Sequence, residues 1–140
     1  MIPVLEALEA LLISEMAIAD AVRISGENYH IYGPKRVMPT FKNPLPHAIV
    51  LQRVGGQQAR PRTYVRCYAN DPAEAEALYR LLFPLFYNDQ DMPRGQRKVA
   101  GKWLLYWGTL TEPFTTIEPQ GWPVSSGTLE TKWHPRELAA

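Results

Sequence analysis

Few residues in this chain are spaced for chemistry. The three histidines, His30, His47 and His134, stand far apart, and none has the neighbouring ligands of a metal site. Cys67 is the single cysteine, so no internal disulfide and no CxxC pair is possible. Its place on the inward side of a candidate strand reads as a buried structural thiol rather than a nucleophile. Glu74 and Glu76 are close enough to suggest an acid/base pair, but two residues apart on a helix they point in different directions. Ser125 and Ser126 precede His134 without a nucleophile elbow around them, and Gly55-Gly56 lacks the pattern of a phosphate loop. The sequence therefore offers no catalytic residue, cofactor site or metal site, and the chain reads as a binding protein rather than an enzyme.

Two sets of residues could bind instead. Lys35, Arg36 and Lys42 interleave with Tyr32, Met38 and Phe41, as in grooves that stack bases. The alternative is an arm packed on its own domain or on a neighbouring copy, which a formal net charge of +1 favours. The run Lys102 to Trp107, KWLLYW, has the same two readings, base stacking or an aromatic core strand.

The elements that must position these residues centre on Ala48 to Tyr87. Ala48 to Val54 is apolar on both faces, Ile49 and Leu51 pointing one way and Ala48, Val50 and Val54 the other. Gly55 and Gly56 suit a turn, and Pro61 limits where the next strand begins. From Thr63 to Ala69, Tyr64, Arg66 and Tyr68 share one face and Val65 and Cys67 the other. Asp71, Pro72 and Glu74 then form the pattern of a capping box, followed by the stripe Leu78, Leu81, Leu82, Leu85; Pro84 kinks or ends that helix.

Upstream, Leu5, Leu8, Leu12, Met16, Ala19 and Val22 predict one amphipathic helix over 3–24, with Gly26 as its stop. Residues 25–47 read as an extended arm with a short strand near Tyr29 to Tyr32. Downstream, Lys98 to Gly108 reads as one strand, 109–119 as an edge strand plus loop, and Val124 to Trp133 as the strand that closes the sheet. Ser126, Thr128, Glu130 and Lys132 share a face of that last strand, and residues 134–140 read as a C-terminal tail.

The 140 residues predict a single domain, and 46% hydrophobic with 21% charged residues is ordinary for a globular core. No run approaches the ~18 apolar residues of a membrane span. Glu6 and Glu9 near the start argue against a secretory signal, so the chain is expected in the cytoplasm where it is made. The predicted fold class is α+β: an antiparallel or mixed sheet of about four to five strands with two main helices packed on one face. Strands apolar on both sides would leave a second greasy face, which copies of the chain could cover for one another.

The order of these segments resembles a known family. PLPHAIVLQRVGG, RPRTYVRCYA, NDPAEAEALYRLL and the late corner GWPVSSGTLETKW look like the tail terminator, or tail completion, proteins of long-tailed double-stranded DNA bacteriophages. The match covers about half the chain. It departs over 25–47 and 88–120. The resemblance implies a structural virion protein, a hexameric ring that caps the tail tube, ends its polymerisation and offers a surface to the head connector. Its partners would be its own copies, the tube protein and connector proteins, with DNA passing through the channel without sequence-specific binding. It would sit at the head-proximal end of the tail after assembly in the host cytoplasm. On this reading Tyr64, Arg66 and Tyr68, with Lys35, Arg36 and Phe41 of the arm, meet other subunits, and Arg60 and Arg62 lie near the channel or the tube. The alternatives are another connector or tube component of the virion, or a small nucleic-acid-binding module.

Overall fold

The computed structural model describes residues 4–33, 36–41, 45–57, 60–86 and 90–135. The chain opens with helix α1 (Val4–Ser14) and helix α2 (Met16–Val22). The single helix expected over 3–24 is interrupted at Glu15, whose backbone is extended at φ −94, ψ 112. The cause is local. The Ser14 hydroxyl donates to the Leu11 carbonyl at 2.6 Å, the acceptor a continuing helix would give to the Glu15 amide. The Glu15 N–H turns back to Leu12 instead.

A small hairpin follows, β1 (Arg23–Ser25) and β2 (Asn28–Tyr29), turning at Gly26, where φ is +53. Gly26 thus serves a hairpin rather than a helix end. The main sheet then collects β3 (Ile31–Tyr32), β4 (Ala48–Gln57) and β5 (Arg60–Tyr68). After helix α3 (Pro72–Arg80) it adds β6 (Lys98–Ala100), β7 (Trp103–Leu110), β8 (Phe114–Ile117) and β9 (Pro123–Pro135). Its order is β3-β4-β5-β9-β7-β6, with β8 also paired to β9; β3 joins parallel to β4 and every other pair is antiparallel.

The expected sheet of four to five strands with two main helices is therefore corrected to a curled, mixed, seven-stranded sheet with three α-helices among the described residues. The added strands have identifiable causes. Gly101, at φ +62, divides the expected strand over 98–108 into β6 and β7. β9 lies in the middle of the sheet rather than closing it, with β5 on one side and β8 and β7 on the other, and it continues through His134 and Pro135. Gly55 and Gly56 do not form the turn between β4 and β5. They belong to β4, next to a bulge at Val54, and Pro61 lies within β5.

α1 touches both β4 and β6, so the sheet wraps around it as a half-barrel. The inner face carries Ile49, Leu51, Val65, Cys67, Leu105, Leu129 and Trp133 against Leu8, Leu11, Leu12, Ile18 and Val22 of the first two helices. Leu78 and Tyr79 of α3 and Leu82 just after it complete this core. Each such side chain contributes about 1.5–3 kcal/mol through removal from water. Cys67 is fully buried here, and burial pushes its thiol up.

α3 begins as expected, the Asp71 carboxylate accepting from the Glu74 N–H at 2.9 Å. The helix gives way after Arg80, and Pro84 falls in a short 3₁₀ turn, Phe83–Leu85. No helix among the described residues is long and apolar enough to cross a membrane.

Candidate functional site

The outer face of the half-barrel is the face on which the expected binding residues meet. Strict alternation along β5 places Arg60, Arg62, Tyr64, Arg66 and Tyr68 on it, and the β9 register sets Glu130 against Arg62, Thr128 against Tyr64 and Ser126 against Arg66. Arg66 lies between two rings, 5.8 Å from the Tyr64 centroid and 5.9 Å from that of Tyr68. Its Nη1 donates to the Tyr68 hydroxyl at 3.0 Å, and that hydroxyl donates to Glu118 Oε2 at 3.0 Å. Arg66 and Glu118 are themselves 4.0 Å apart. Burial pushes the Tyr68 phenol up to about 12, against the opposing pull of the Arg66 charge, so it acts as a fixed donor at neutral pH.

Glu118 is brought here by the tight corner after β8. The Gly121 N–H donates to the Glu118 carbonyl at 2.8 Å and the Glu118 N–H to the Trp122 carbonyl at 2.9 Å. Trp122 thereby meets Tyr68 edge to face, with centroids 5.8 Å apart.

The arm supplies the opposite wall. The Arg36 guanidinium lies 5.1 Å from the Tyr32 ring centroid and donates to the Tyr29 carbonyl at 3.2 Å. Phe41 packs edge-on against His30 at 5.3 Å, and His30 Nδ1 is 2.8 Å from the Tyr32 hydroxyl. Burial, then the nearby Arg36 charge, holds His30 below its usual value. Lys35, expected beside Arg36, lies outside the described residues.

Met38, Phe41 and Trp122 cover an apolar patch of Tyr32, Ala48, Val50, Tyr68 and Val124. This corrects the expectation of a second greasy face without internal cover: its apolar part is screened by the chain's own arm and corner. Between arm and corner remains a groove of about 630 Å³, lined by Tyr32, Arg36, Gln52, Arg66, Tyr68 and Trp122 among others. That volume is within the usual range for a bound group.

The far end of the same face is held by charge pairs. Arg60 bridges Glu130 at 2.7 Å and lies 5.0 Å from the Trp107 ring centroid. Lys132 is 4.9 Å from that ring and 3.3 Å from Asp91. Arg60 and Arg62 thus both belong to β5 rather than to a turn, and both are exposed.

The other candidates separate. The Glu74 carboxylate is 3.8 Å from His47, whereas Glu76 faces Arg80 at 3.4 Å and the Thr115 hydroxyl at 3.4 Å. Ser125 is buried against the Thr115 hydroxyl at 3.0 Å, near the start of β9, and His134 is near its end. His134 stacks on Tyr106 at 4.4 Å and faces Arg97 at 3.0 Å; burial and then Arg97 lower it. Trp107 faces outward and Leu105 inward, so KWLLYW is divided between the two faces. No group of His, Cys, Asp or Glu among the described residues could hold a metal ion.

Sequence reasoning missed Glu118 and Gln52 as members of this face. The usable signal for Glu118 was its place just before Gly121, which takes φ +91. The arrangement offers aromatic walls, an exposed guanidinium and a preformed Arg–Tyr–Glu chain of donors and acceptors. Compared with protein-family models, with curated proteins and with solved structures, the chain matches none.

Proposed function

We propose that this chain is an assembly subunit of the tail-terminator kind, forming a ring that caps a phage tail tube, ends its growth and meets the head connector. The observation that carries this reading is a sheet with unlike open edges, on β4 and on β8, besides the border strand β6. Beyond Val50, β4 has no strand partner on its outer side among the described residues, and β8 has none beyond β9. Each edge carries an exposed apolar side chain, Val54 on β4 and Phe114 on β8, the latter 69% accessible. Two different edges on one molecule favour head-to-tail contact, which closes into a ring when the rotation permits. The sixfold count and the tube and connector as partners come from the family resemblance.

Placement of Tyr64, Arg66, Tyr68, Arg36 and Phe41 at or near subunit contacts, and of Arg60 and Arg62 near channel or tube, belongs to the same proposal. A nucleic-acid module is less favoured, because Arg60, Arg66 and Lys132 each already face an acid. The test mixes purified protein with assembling tail tubes and images the ends. Rings at one end of tubes of arrested length are expected; unchecked elongation with no density at the tips would remove the reading.

A further inference from the structure

The groove and the two open edges can be joined. We propose that the outer-face groove of one copy receives strand β8 of a second copy, with Phe114 entering beside Tyr32, Val50 and Met38 and Glu112 meeting Arg36. This names the contact that the ring reading requires, and it rests on that reading.

The geometry starts from backbone groups. The Ile49 N–H donates to the His30 carbonyl, so the main-chain groups of Leu51 and Arg53, two and four residues on, face the same outer side; Gly33 lies beside the Leu51 carbonyl, which leaves Arg53 as the open position. The bulge at Val54 limits that open stretch, so side chains must carry most of the specificity. At the level of Val50 the register runs across β4, β5, β9 and β8 through Val50, Arg66, Ser126 and Phe114. The acceptor edge and β8 are thus opposite borders of one sheet, and Phe114 is on the same outer face as the groove. When β8 extends the neighbour's sheet at β4, that face is continuous across the join, and Phe114 falls over Val50 and Gln52.

Charge chooses this occupant. Among the described residues the groove holds two guanidinium groups, Arg36 and Arg66, and one carboxylate, Glu118, which already accepts from Tyr68. It therefore lacks one negative charge. Two residues before Phe114, Glu112 has a carboxylate side chain 79% accessible, with a 3.4 Å contact to Arg80. An exposed acid next to an exposed aromatic is the complement of an exposed Arg next to aromatic walls.

The test uses cysteine capture with the full chain. Gln52→Cys and Thr116→Cys are exposed positions, one at the groove and one on β8, and native Cys67 is buried. Mixing the two single variants should give a mixed disulfide about tenfold faster than mixing Thr116→Cys with Lys102→Cys, a difference of ~1.4 kcal/mol in encounter free energy. Adding Phe114→Asp to the β8 partner should remove the advantage. Arg36→Glu on the groove copy or Glu112→Arg on the β8 copy should each slow capture, and the two together should restore it. Capture no faster than the control, or no rescue by the charge exchange, overturns the proposal. If those results appear with a protein that still caps tubes, the ring reading stands and only this contact is wrong. A protein that captures as expected yet leaves tubes growing retains the contact and loses the function.

Discussion

The Tyr79 hydroxyl donates to the main-chain carbonyl of Thr111 at 2.7 Å, and it does so directly over Gly127 of β9. A Cβ at residue 127 would overlap both this hydroxyl and the Thr111 side chain. The bond joins α3 to the loop between β7 and β8, so it fixes the segment that ends in Phe114. Gly127→Ala is expected to cost about 1–3 kcal/mol by overpacking. Tyr79→Phe should cost about 0.5–1.5 kcal/mol through the lost hydrogen bond. Urea unfolding of both variants measures the difference, and an unchanged midpoint for Gly127→Ala would contradict the packing described.

Tyr68 and Tyr79 are both pushed up to about 12 from 10.0, chiefly by burial. A raised folded-state value means that the unfolded chain releases its proton first as pH rises. Stability from these groups is whole below pH 10 and is lost progressively between 10 and 12. Phenolate absorbance should show both tyrosines titrating late, together with Tyr32, which burial also raises. Replacing each with Phe should remove one of them and flatten the alkaline decline in thermal midpoint.

His30 gives the opposite slope. Its folded-state value is below 6.5, so the unfolded chain takes the proton first, and stability present above that pH declines as pH falls through it. The charged imidazolium would face Arg36 across Tyr32 and Phe41, the contacts that hold the arm. Amide protection in residues 36–41, relative to intrinsic exchange at each pH, should therefore fall below pH 6.5 in the wild type and much less in His30→Gln. An equal fall in both proteins would assign the effect elsewhere.

Asp71→Ala removes a single well-defined cap and should lower stability by about 1 kcal/mol. Glu74→Ala should matter less, because the Glu74 carboxylate faces His47 rather than closing the capping box back onto Asp71. Parallel thermal melts of the two variants decide this, and a larger loss for Glu74→Ala would be the contrary result.

For the channel proposal, Arg60→Ala breaks the 2.7 Å bridge to Glu130, while Arg62→Ala removes an exposed charge. Because the bridge is partly solvated, either variant should change stability by less than ~1 kcal/mol. The double variant should nevertheless reduce tail joining, measured as infectious particles reconstituted from heads and tails. Undiminished joining would take both residues off the channel or tube surface.

The parts of this fold legible in the sequence are those fixed by neighbours in the chain. Asp71-Pro72 sets a helix start by itself, and the alternation of Tyr64, Arg66 and Tyr68 fixes a shared face once a strand is granted. What escaped depended on competition or on distance. An apolar stripe cannot reveal that Ser14 takes the carbonyl Glu15 would have used. Gly101-Lys102 was readable as a two-residue turn, but the aromatic run around it suggested one continuous strand. The central place of β9 follows from pairing with strands on both sides, which no local pattern encodes. Apolar residues on both faces of β4 were visible, yet what covers the second face came from Met38, Phe41 and Trp122, remote segments without periodicity.

The position of α1 between β4 and β6 has a consequence for how the molecule comes into being. Helix α1 docks against β6, a strand near residue 100, so its final seat cannot exist until that later strand has been synthesised. Until then the nascent protein must carry a greasy helix without a berth, and its maturation should be slow relative to helical bundles of this size. Truncation before β6 would yield a sticky fragment, which makes the late strands the gatekeepers of solubility for the early helix.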